Sequence, residues 1–268
     1  MPAVGPAEMA GDPAAARHLE RAQPEGSAIR ETSADVAPPK ARVGLVGGLG
    51  PESTIDYYRR ILAAWERVTP GSSPAIVIDS LDVQEGLRLV ASDRPALTRY
   101  LLASLQRLAA AGASFVAITA NTAHVVFDEL VAVSPVPLLG IVEPVAVAAR
   151  DAGVRRAALL GTRFTMEAEF YAATCARLDV DVVSPDGGER SWLHERYVGE
   201  LLAGKFTDAT RAGVAAMIER MREVEGIDGV ILAGTELPLL LRADRVAGLP
   251  AFDSTGLHVD AIVRRLRA

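Results

Sequence analysis

The chain has 268 residues, half of them hydrophobic, which is enough for one large domain or two modest ones around a buried core. Its formal net charge of −6 argues against nucleic acid as a partner, because phosphate binding requires a basic face and no basic run occurs. The single cysteine, Cys175, excludes an internal disulfide and a thiolate metal site, and no apolar stretch approaches the ~18 residues that span a membrane. We therefore expect a cytoplasmic protein with a small-molecule ligand and without a secretory signal, a membrane segment or a metal.

Residues 1–41 are rich in Ala, Pro, Glu and Ser and lack a sustained apolar period. Such a segment buries too little surface to offset the entropy of ordering, so a disordered N-terminal extension is predicted. From residue 42 onward, short apolar strands alternate with glycine or polar turns and helices. In the first half this pattern predicts strands at 43–46, 75–78 and 114–119, with helices at 54–65 and 95–110.

The second half repeats the pattern, with strands at 157–160, 180–183 and 229–232 and helices at 142–150, 166–177, 192–202 and 207–222. Gly47 and Asn121 are separated by the same 74 positions as Gly161 and Thr235, so the two halves read as copies of one unit. Alternating apolar strands and helices predict parallel sheets covered on both faces. We expect an α/β fold of two pseudo-symmetric domains, residues 42–140 and 141–256, with the active-site cleft between them and a C-terminal helix, 257–268, packed back on the first.

Four motifs lie at the predicted carboxyl ends of strands, where open α/β sheets bind ligands. The first combines a glycine turn that includes Gly50 with Ser53 and Thr54 at a helix start, where backbone amides favour an anion. Its spacing differs from that of a dinucleotide-binding fingerprint. A simple strand-to-helix turn is the alternative interpretation.

The second motif carries Asn121, Thr122 and His124 directly after a buried strand. Asn and Thr side chains can hold a carboxylate, and a histidine there can orient them or shuttle a proton. The alternative is structural, with Asn121 as a helix cap and His124 hydrogen-bonded beneath it.

The third and fourth motifs contribute Thr162 with Thr165, and Thr235 with Glu236. The threonines can donate hydrogen bonds to an anion or simply cap a helix. Glu236 follows a buried strand, where a carboxylate is costly unless it is used. A structural hydrogen bond to nearby backbone is the alternative for Glu236.

Taken in order, these motifs resemble the aspartate/glutamate racemase superfamily over residues 42–268. The residues that carry the resemblance are Gly47-Gly48-Leu49-Gly50-Pro51-Glu52-Ser53-Thr54, Asn121-Thr122-Ala123-His124, Leu160-Gly161-Thr162 with Thr165-Met166, Gly234-Thr235-Glu236-Leu237-Pro238, and Asp253-Ser254-Thr255 with His258. The resemblance implies paired α/β domains around the active site, catalysis without pyridoxal phosphate or metal, and a homodimer.

The resemblance also implies a cysteine directly before the Asn-Thr pair and another directly before the Thr-Glu pair, one removing the α-proton and the other protonating the opposite face. Ala120 and Gly234 occupy those two positions. Each general acid or base contributes roughly 10² to 10⁴ in rate, so racemisation by a thiol pair is not expected. The smaller residues are expected to open volume for a bulkier substrate, and Cys175, in a predicted helix away from the motifs, is not expected to replace either thiol.

The leading hypothesis is a cofactor-independent isomerase, lyase or cyclase acting on an amino acid or related small carboxylate. Glu236, His124 and Asp82 are the candidate acids and bases. The expected substrate-binding residues are Gly50, Ser53, Thr54, Asn121, Thr122, Thr162, Thr165 and Thr235. Two alternatives remain open: an Asp or Glu racemase that uses noncysteine bases, and a non-catalytic carboxylate-binding protein.

Overall fold

The structure is a computed structural model that describes residues 41–268. A parallel sheet forms the first part of this range. The predicted N-terminal extension lies outside those residues except for Ala41. The strand order is β2-β1-β3-β4, and the strands are β1 (Arg42–Gly47), β2 (Ala75–Ser80), β3 (Phe115–Ile118) and β4 (Leu138–Leu139). The helices of this half are α1 (Pro51–Val68), α2 (Val83–Ser92), α3 (Arg94–Ala110) and α4 (Phe127–Val133), and a 3-10 helix spans Thr122–Val126. Helix α5 (Val142–Asp151) follows β4 and belongs to the second half.

The second sheet has the order β6-β5-β7-β9-β8, in which only β8 runs antiparallel to its neighbour. Its strands are β5 (Arg156–Gly161), β6 (Asp181–Val183), β7 (Gly229–Ala233), β8 (Arg245–Val246) and β9 (Leu249–Asp253). The helices are α6 (Arg163–Glu167), α7 (Phe170–Ala176), α8 (Gly187–Gly199), α9 (Asp208–Val224), α10 (Leu237–Leu241) and α11 (Ser254–Arg267), and a 3-10 helix spans Leu201–Ala203. In both halves the first strand lies between the second and the third, so the predicted pseudo-symmetric α/β fold is confirmed.

Helices cover both faces of the first sheet, which explains why its central strand is apolar throughout. On one face, Leu101 and Leu105 of α3 pack against Val46, and on the other, Ile61 of α1 packs in a cluster with Leu45. All are fully buried, and each such side chain contributes roughly 1.5 to 3 kcal/mol to stability. The C-terminal helix α11 joins the second of these clusters, so it lies against α1 and the first sheet.

The second sheet is covered in the same manner. Helices α8 and α9 pack on one face through Leu193, Met217 and Ile218, while α5 and α7 pack on the other through Val145 and Tyr171. The second sheet is therefore also covered by helices on both faces.

The glycine turn after β1 is fixed by steric contact with the start of α2. Gly48 has a φ of +80°, and a Cβ there would lie 2.1 Å from the carbonyl oxygen of Leu81. Only glycine tolerates both the left-handed backbone and this approach. The turn therefore brings Leu49 against α2, where Gly86 leaves room for it.

Two regions differ from the sequence prediction. The single helix expected over 166–177 is divided into α6 and α7, because Ala168 has extended backbone angles, φ −87° and ψ 148°. Helix α2 was not predicted; it is ten residues long and begins at Asp82, whose side chain caps it. The short elements α4, α10, β4, β8 and β9 were not predicted either, since runs of two to seven residues carry little periodic signal.

Candidate active site

One cavity collects residues from all four motifs that follow the strands. The motif residues that line it are Leu49, Ala120, Asn121, Thr122, Ala123, Thr162, Gly234, Thr235 and Glu236. The remaining lining residues are Val83, Gly86, Leu87, Val90, Leu97, Tyr197, Leu202 and Ala233. The two sheets thus present their strand ends to a common space, as parallel α/β architecture favours.

Ala120 and Gly234, the two positions at which the resemblance implies cysteines, both line this cavity. A Cβ on Gly234 would lie 2.5 Å from Cε2 and 2.7 Å from the hydroxyl oxygen of Tyr197. The Tyr197 ring therefore occupies the space that a side chain at 234 would need. The expectation that both small residues open volume is wrong at Gly234, because α8 inserts this ring there.

Glu236 lies just beyond β7 and exposes 1% of its surface. Its Oε2 accepts hydrogen bonds from the Tyr197 hydroxyl and, at 2.8 Å, from the Thr235 hydroxyl. Its Oε1 is buried without a hydrogen-bond partner among residues 41–268 and faces Gly50, where a Cβ would lie 2.8 Å away. A side chain at position 50 would collide with this carboxyl.

Burial raises the pKa of Glu236, and the hydrogen bonds from Tyr197 and Thr235 oppose that rise. Burial, followed by the neighbouring Glu236 charge, also raises the pKa of Tyr197 well above its ordinary value. The Tyr197 hydroxyl donates to the carboxyl of Glu236 and accepts from its backbone N–H at 3.2 Å. A buried carboxyl with a raised pKa and one free oxygen has the properties of a general acid or base.

Three threonine hydroxyls form a cluster where the two halves meet. Thr122 Oγ1 lies 2.8 Å from Thr162 Oγ1 and 3.1 Å from Thr165 Oγ1, and the last two are 3.2 Å apart. Thr122 and Thr162 line the cavity, whereas Thr165 is fully buried behind them. Because each hydroxyl both donates and accepts, the cluster can turn hydrogens toward a bound anion.

The other predicted carboxylate-binding side chains make internal hydrogen bonds. Asn121 Nδ2 donates to Ser254 Oγ at 3.0 Å, and its Oδ1 accepts from the Tyr171 hydroxyl at 2.6 Å. Ser53 donates to the Thr119 carbonyl, and Thr54 accepts from the N–H of Gly48 while donating to the Gly50 carbonyl. These bonds hold the motifs together, and of the three side chains only Asn121 belongs to the cavity lining.

His124 and Asp82, two of the three candidate acids and bases, have structural roles. The Nδ1–H of His124 donates to the Ala120 carbonyl at 2.9 Å, and Nε2 accepts from the Ile141 N–H at 3.1 Å, which assigns a neutral ring. Burial lowers the pKa of His124 to about 4. Asp82 is exposed and caps α2 by accepting from the Gln84 N–H. Neither residue lines the cavity, so Glu236 alone of the three remains.

Tyr197 and the apolar wall from α2 are the site features that the sequence did not indicate. Tyr197 lies in the last turn of α8, where nothing in its local pattern distinguishes it from an ordinary core tyrosine. The only signal was indirect, namely the glycine at 234 that accommodates it. Cys175 behaves as expected: it is fully buried in α7, and burial raises the pKa of its thiol to about 11.

Two further findings concern residues 41–268 as a whole. No group of three His, Cys, Asp or Glu side chains within that range is arranged to hold a metal ion. Across the same residues, no helix combines the length and the apolar character needed to cross a membrane.

The paired sheets and the cavity between their strand ends define an α/β protein with a cavity at the junction of its halves. Residues 46–262 match the model of the Asp/Glu/hydantoin racemase family. The chain belongs to this family, as its motifs suggested, and family membership indicates an enzyme of the isomerase type.

Solved structures give the same result. A proposed Asp/Glu racemase from Yersinia pestis is 32% identical, with a TM-score of 0.76 over 85% of this chain and 100% of that one. An aspartate racemase homologue from Pyrococcus horikoshii OT3 is also 32% identical, with a TM-score of 0.71 over 85% and 99% of the two chains. The broad specificity amino-acid racemase RacX of Bacillus subtilis (strain 168) is 24% identical over 148 residues, which are 54% of this chain and 64%, less than two thirds, of that relative.

Proposed function

We propose that this protein is a cofactor-independent enzyme that transfers a proton at the carbon next to a carboxylate, and that it does so from one face only. The observation that carries the proposal is the asymmetry of the cavity. Among the lining residues that belong to the described range 41–268, Glu236 and Tyr197 are the only titratable side chains, and both lie on the wall formed at the end of β7. The wall at the end of β3 has Ala120 in the corresponding position.

The threonine cluster supplies the carboxylate contact in this proposal. Hydroxyls of Thr122 and Thr162 donate to the substrate carboxylate and hold it at the junction of the two halves. Stabilising the charge that develops on that carboxylate as the proton leaves is often the largest catalytic contribution.

Glu236 performs the proton transfer. In the ionised form its Oε1, which has no hydrogen-bond partner in the described part of the chain, takes the α-proton, and the C–H electron pair moves into the substrate as an enediolate. The same carboxyl then returns a proton to the same face. Tyr197 donates to Oε2 and so keeps Oε1 as the reacting oxygen.

Two-sided racemisation requires a second acid or base opposite Glu236. Alanine offers none, and the loss of one such group costs roughly 10² to 10⁴ in rate. We therefore expect stereochemistry to be retained, which distinguishes this enzyme from an Asp or Glu racemase with noncysteine bases.

Proton exchange in D₂O tests the proposal. A panel of amino acids and 2-substituted carboxylates is incubated with the protein, loss of the α-proton is followed by NMR, and chiral chromatography follows the enantiomers. We expect exchange with retention, a fall of about 100-fold or more in Glu236→Gln, and no change in Glu223→Gln, which alters an exposed glutamate of α9. Exchange that survives in Glu236→Gln, or racemisation as fast as exchange, would contradict it.

Decarboxylation is a second candidate, favoured by the pKa directions in the site. Burial raises the pKa values of Glu236 and Tyr197, which favours the protonated, proton-donating form of each side chain. Loss of CO₂ from a geminal dicarboxylate leaves the bond's electron pair on the α-carbon, which Glu236 then protonates before regaining a proton from solvent. Release of CO₂ from geminal dicarboxylates, with a single product enantiomer, is the measurement.

A further inference from the structure

The wall of the cavity away from Glu236 is apolar. Six aliphatic side chains from different elements form it: Leu49 after β1, Val83, Leu87 and Val90 of α2, Leu97 of α3, and Leu202 of the 3-10 helix after α8. Val90 and Leu97 are buried in the core of the first half, whereas the other four are half-buried at the cavity. These four keep part of their apolar surface available to a ligand.

Charge is distributed unevenly around this space. No Lys, Arg or His belongs to the lining set drawn from residues 41–268, and Glu236 is its one carboxyl. A substrate with a carboxylate on its side chain would place a second negative charge against leucine and valine, without a counter-ion. Transfer of an unpaired carboxylate into apolar surroundings is strongly unfavourable, and repulsion from Glu236 adds to the cost.

From this arrangement we infer that the cavity binds carboxylates whose side group is apolar, either branched aliphatic or aromatic, in preference to acidic amino acids such as aspartate and glutamate. The inference rests on the proposed function for the position of the reacting carboxylate at Thr122 and Thr162. The side group then extends toward α2, where Leu87 contacts it. Helix α2 thereby sets the substrate class.

Ligand binding tests the inference without requiring turnover. The probes are 2-phenylpropionate and methylsuccinate, which both carry a methyl group on the carbon next to a carboxylate. The other substituent of that carbon is a phenyl ring in 2-phenylpropionate and a second carboxylate arm in methylsuccinate. Calorimetry on the full chain measures both dissociation constants. We expect 2-phenylpropionate to bind more tightly by about tenfold or more, because the aliphatic side chains can contact its ring and offer no partner to a second carboxylate.

A charge substitution on α2 provides the second measurement. Leu87→Arg introduces a cation at the cavity wall and is expected to reverse the preference toward methylsuccinate. Gln84→Arg adds the same charge to the exposed side of the same helix and is expected to leave the preference unchanged. Circular dichroism and thermal unfolding establish that both variants are folded.

The outcomes separate this inference from the proposed function. Equal binding of the two probes, or tighter binding of methylsuccinate by the unsubstituted protein, would overturn the inference even if proton exchange occurs. Tight binding of 2-phenylpropionate with no exchange on any carboxylate would leave the inference standing and overturn the proposed function. If Leu87→Arg does not fold, the comparison of the two probes on the unsubstituted protein decides the inference alone.

Discussion

The buried carboxyl of Glu236 makes a quantitative prediction about stability and pH. In Glu236→Gln, the amide oxygen can accept the same two hydrogen bonds from Tyr197 and Thr235 that Oε2 accepts, so the packing is retained while the titration is removed. The folded state of the unsubstituted protein holds the Glu236 proton more tightly than the unfolded chain, because burial raises the pKa above 4.5.

The sign of the effect follows from proton binding. Below pH 4.5 the Glu236 carboxyl is protonated in both the folded and the unfolded state, so its titration does not lower the free energy of unfolding. As pH rises above 4.5 the unfolded chain ionises first, so the unsubstituted protein loses up to about 1.4 kcal/mol of stability per pH unit until the folded-state pKa is passed. The variant lacks this loss, so its stability relative to the unsubstituted protein rises with pH and then reaches a plateau.

Urea denaturation at half-unit steps from pH 4 to pH 9 measures the difference. The histidines contribute equally to both proteins and cancel, and Glu223→Gln on the exposed face of α9 controls for the loss of one charge. A difference that stays flat across this range would refute a raised pKa for Glu236 and remove the basis for its role as acid or base.

Three further predictions follow from the same contacts. Tyr197→Phe removes a hydrogen bond that opposes the effect of burial on the Glu236 carboxyl, so the pKa of Glu236 and the pH profile of proton exchange should shift upward, as exchange rates against pH would show. Gly234→Cys should destabilise the fold by about 1 to 3 kcal/mol in thermal unfolding, whereas Ala120→Cys, beside the cavity, should fold and add racemisation to exchange. Because burial keeps His124 neutral in the folded state, the protein should lose about 3 kcal/mol of stability as pH falls from 6.5 to 4. His124→Gln should lack this loss in urea titrations.

Each of these predictions has a clear contrary result. An unchanged pH profile in Tyr197→Phe would mean that its hydroxyl does not tune the carboxyl. Normal stability of Gly234→Cys would mean that the ring moves aside readily, and retained stereochemistry in Ala120→Cys would mean that this wall does not face the reacting carbon. An acid stability curve that is the same with and without His124 would assign the loss to other groups.

Hydrophobic periodicity and turn chemistry were sufficient to predict the fold. The apolar strand around Leu45 and the glycine turn at Gly48 are local features, and each strand ends at a recognisable motif because the chain must turn there. The spacing of 74 positions from Gly47 to Asn121, which recurs from Gly161 to Thr235, placed the motifs of the two halves at equivalent strand ends. Parallel sheets bind ligands at those ends, so the location of the site could be predicted as well.

Only the tertiary structure decided which side chains within the motifs are available. Asn121 fits the pattern of a carboxylate ligand, and Tyr171 and Ser254, distant in sequence, hydrogen-bond to its oxygen and its nitrogen. Tyr197 shows the converse, since its role depends on the space left by Gly234, 37 positions away. Local spacing reports which residues are at a strand end, but hydrogen-bond partners and occupied volume arise when distant segments pack together.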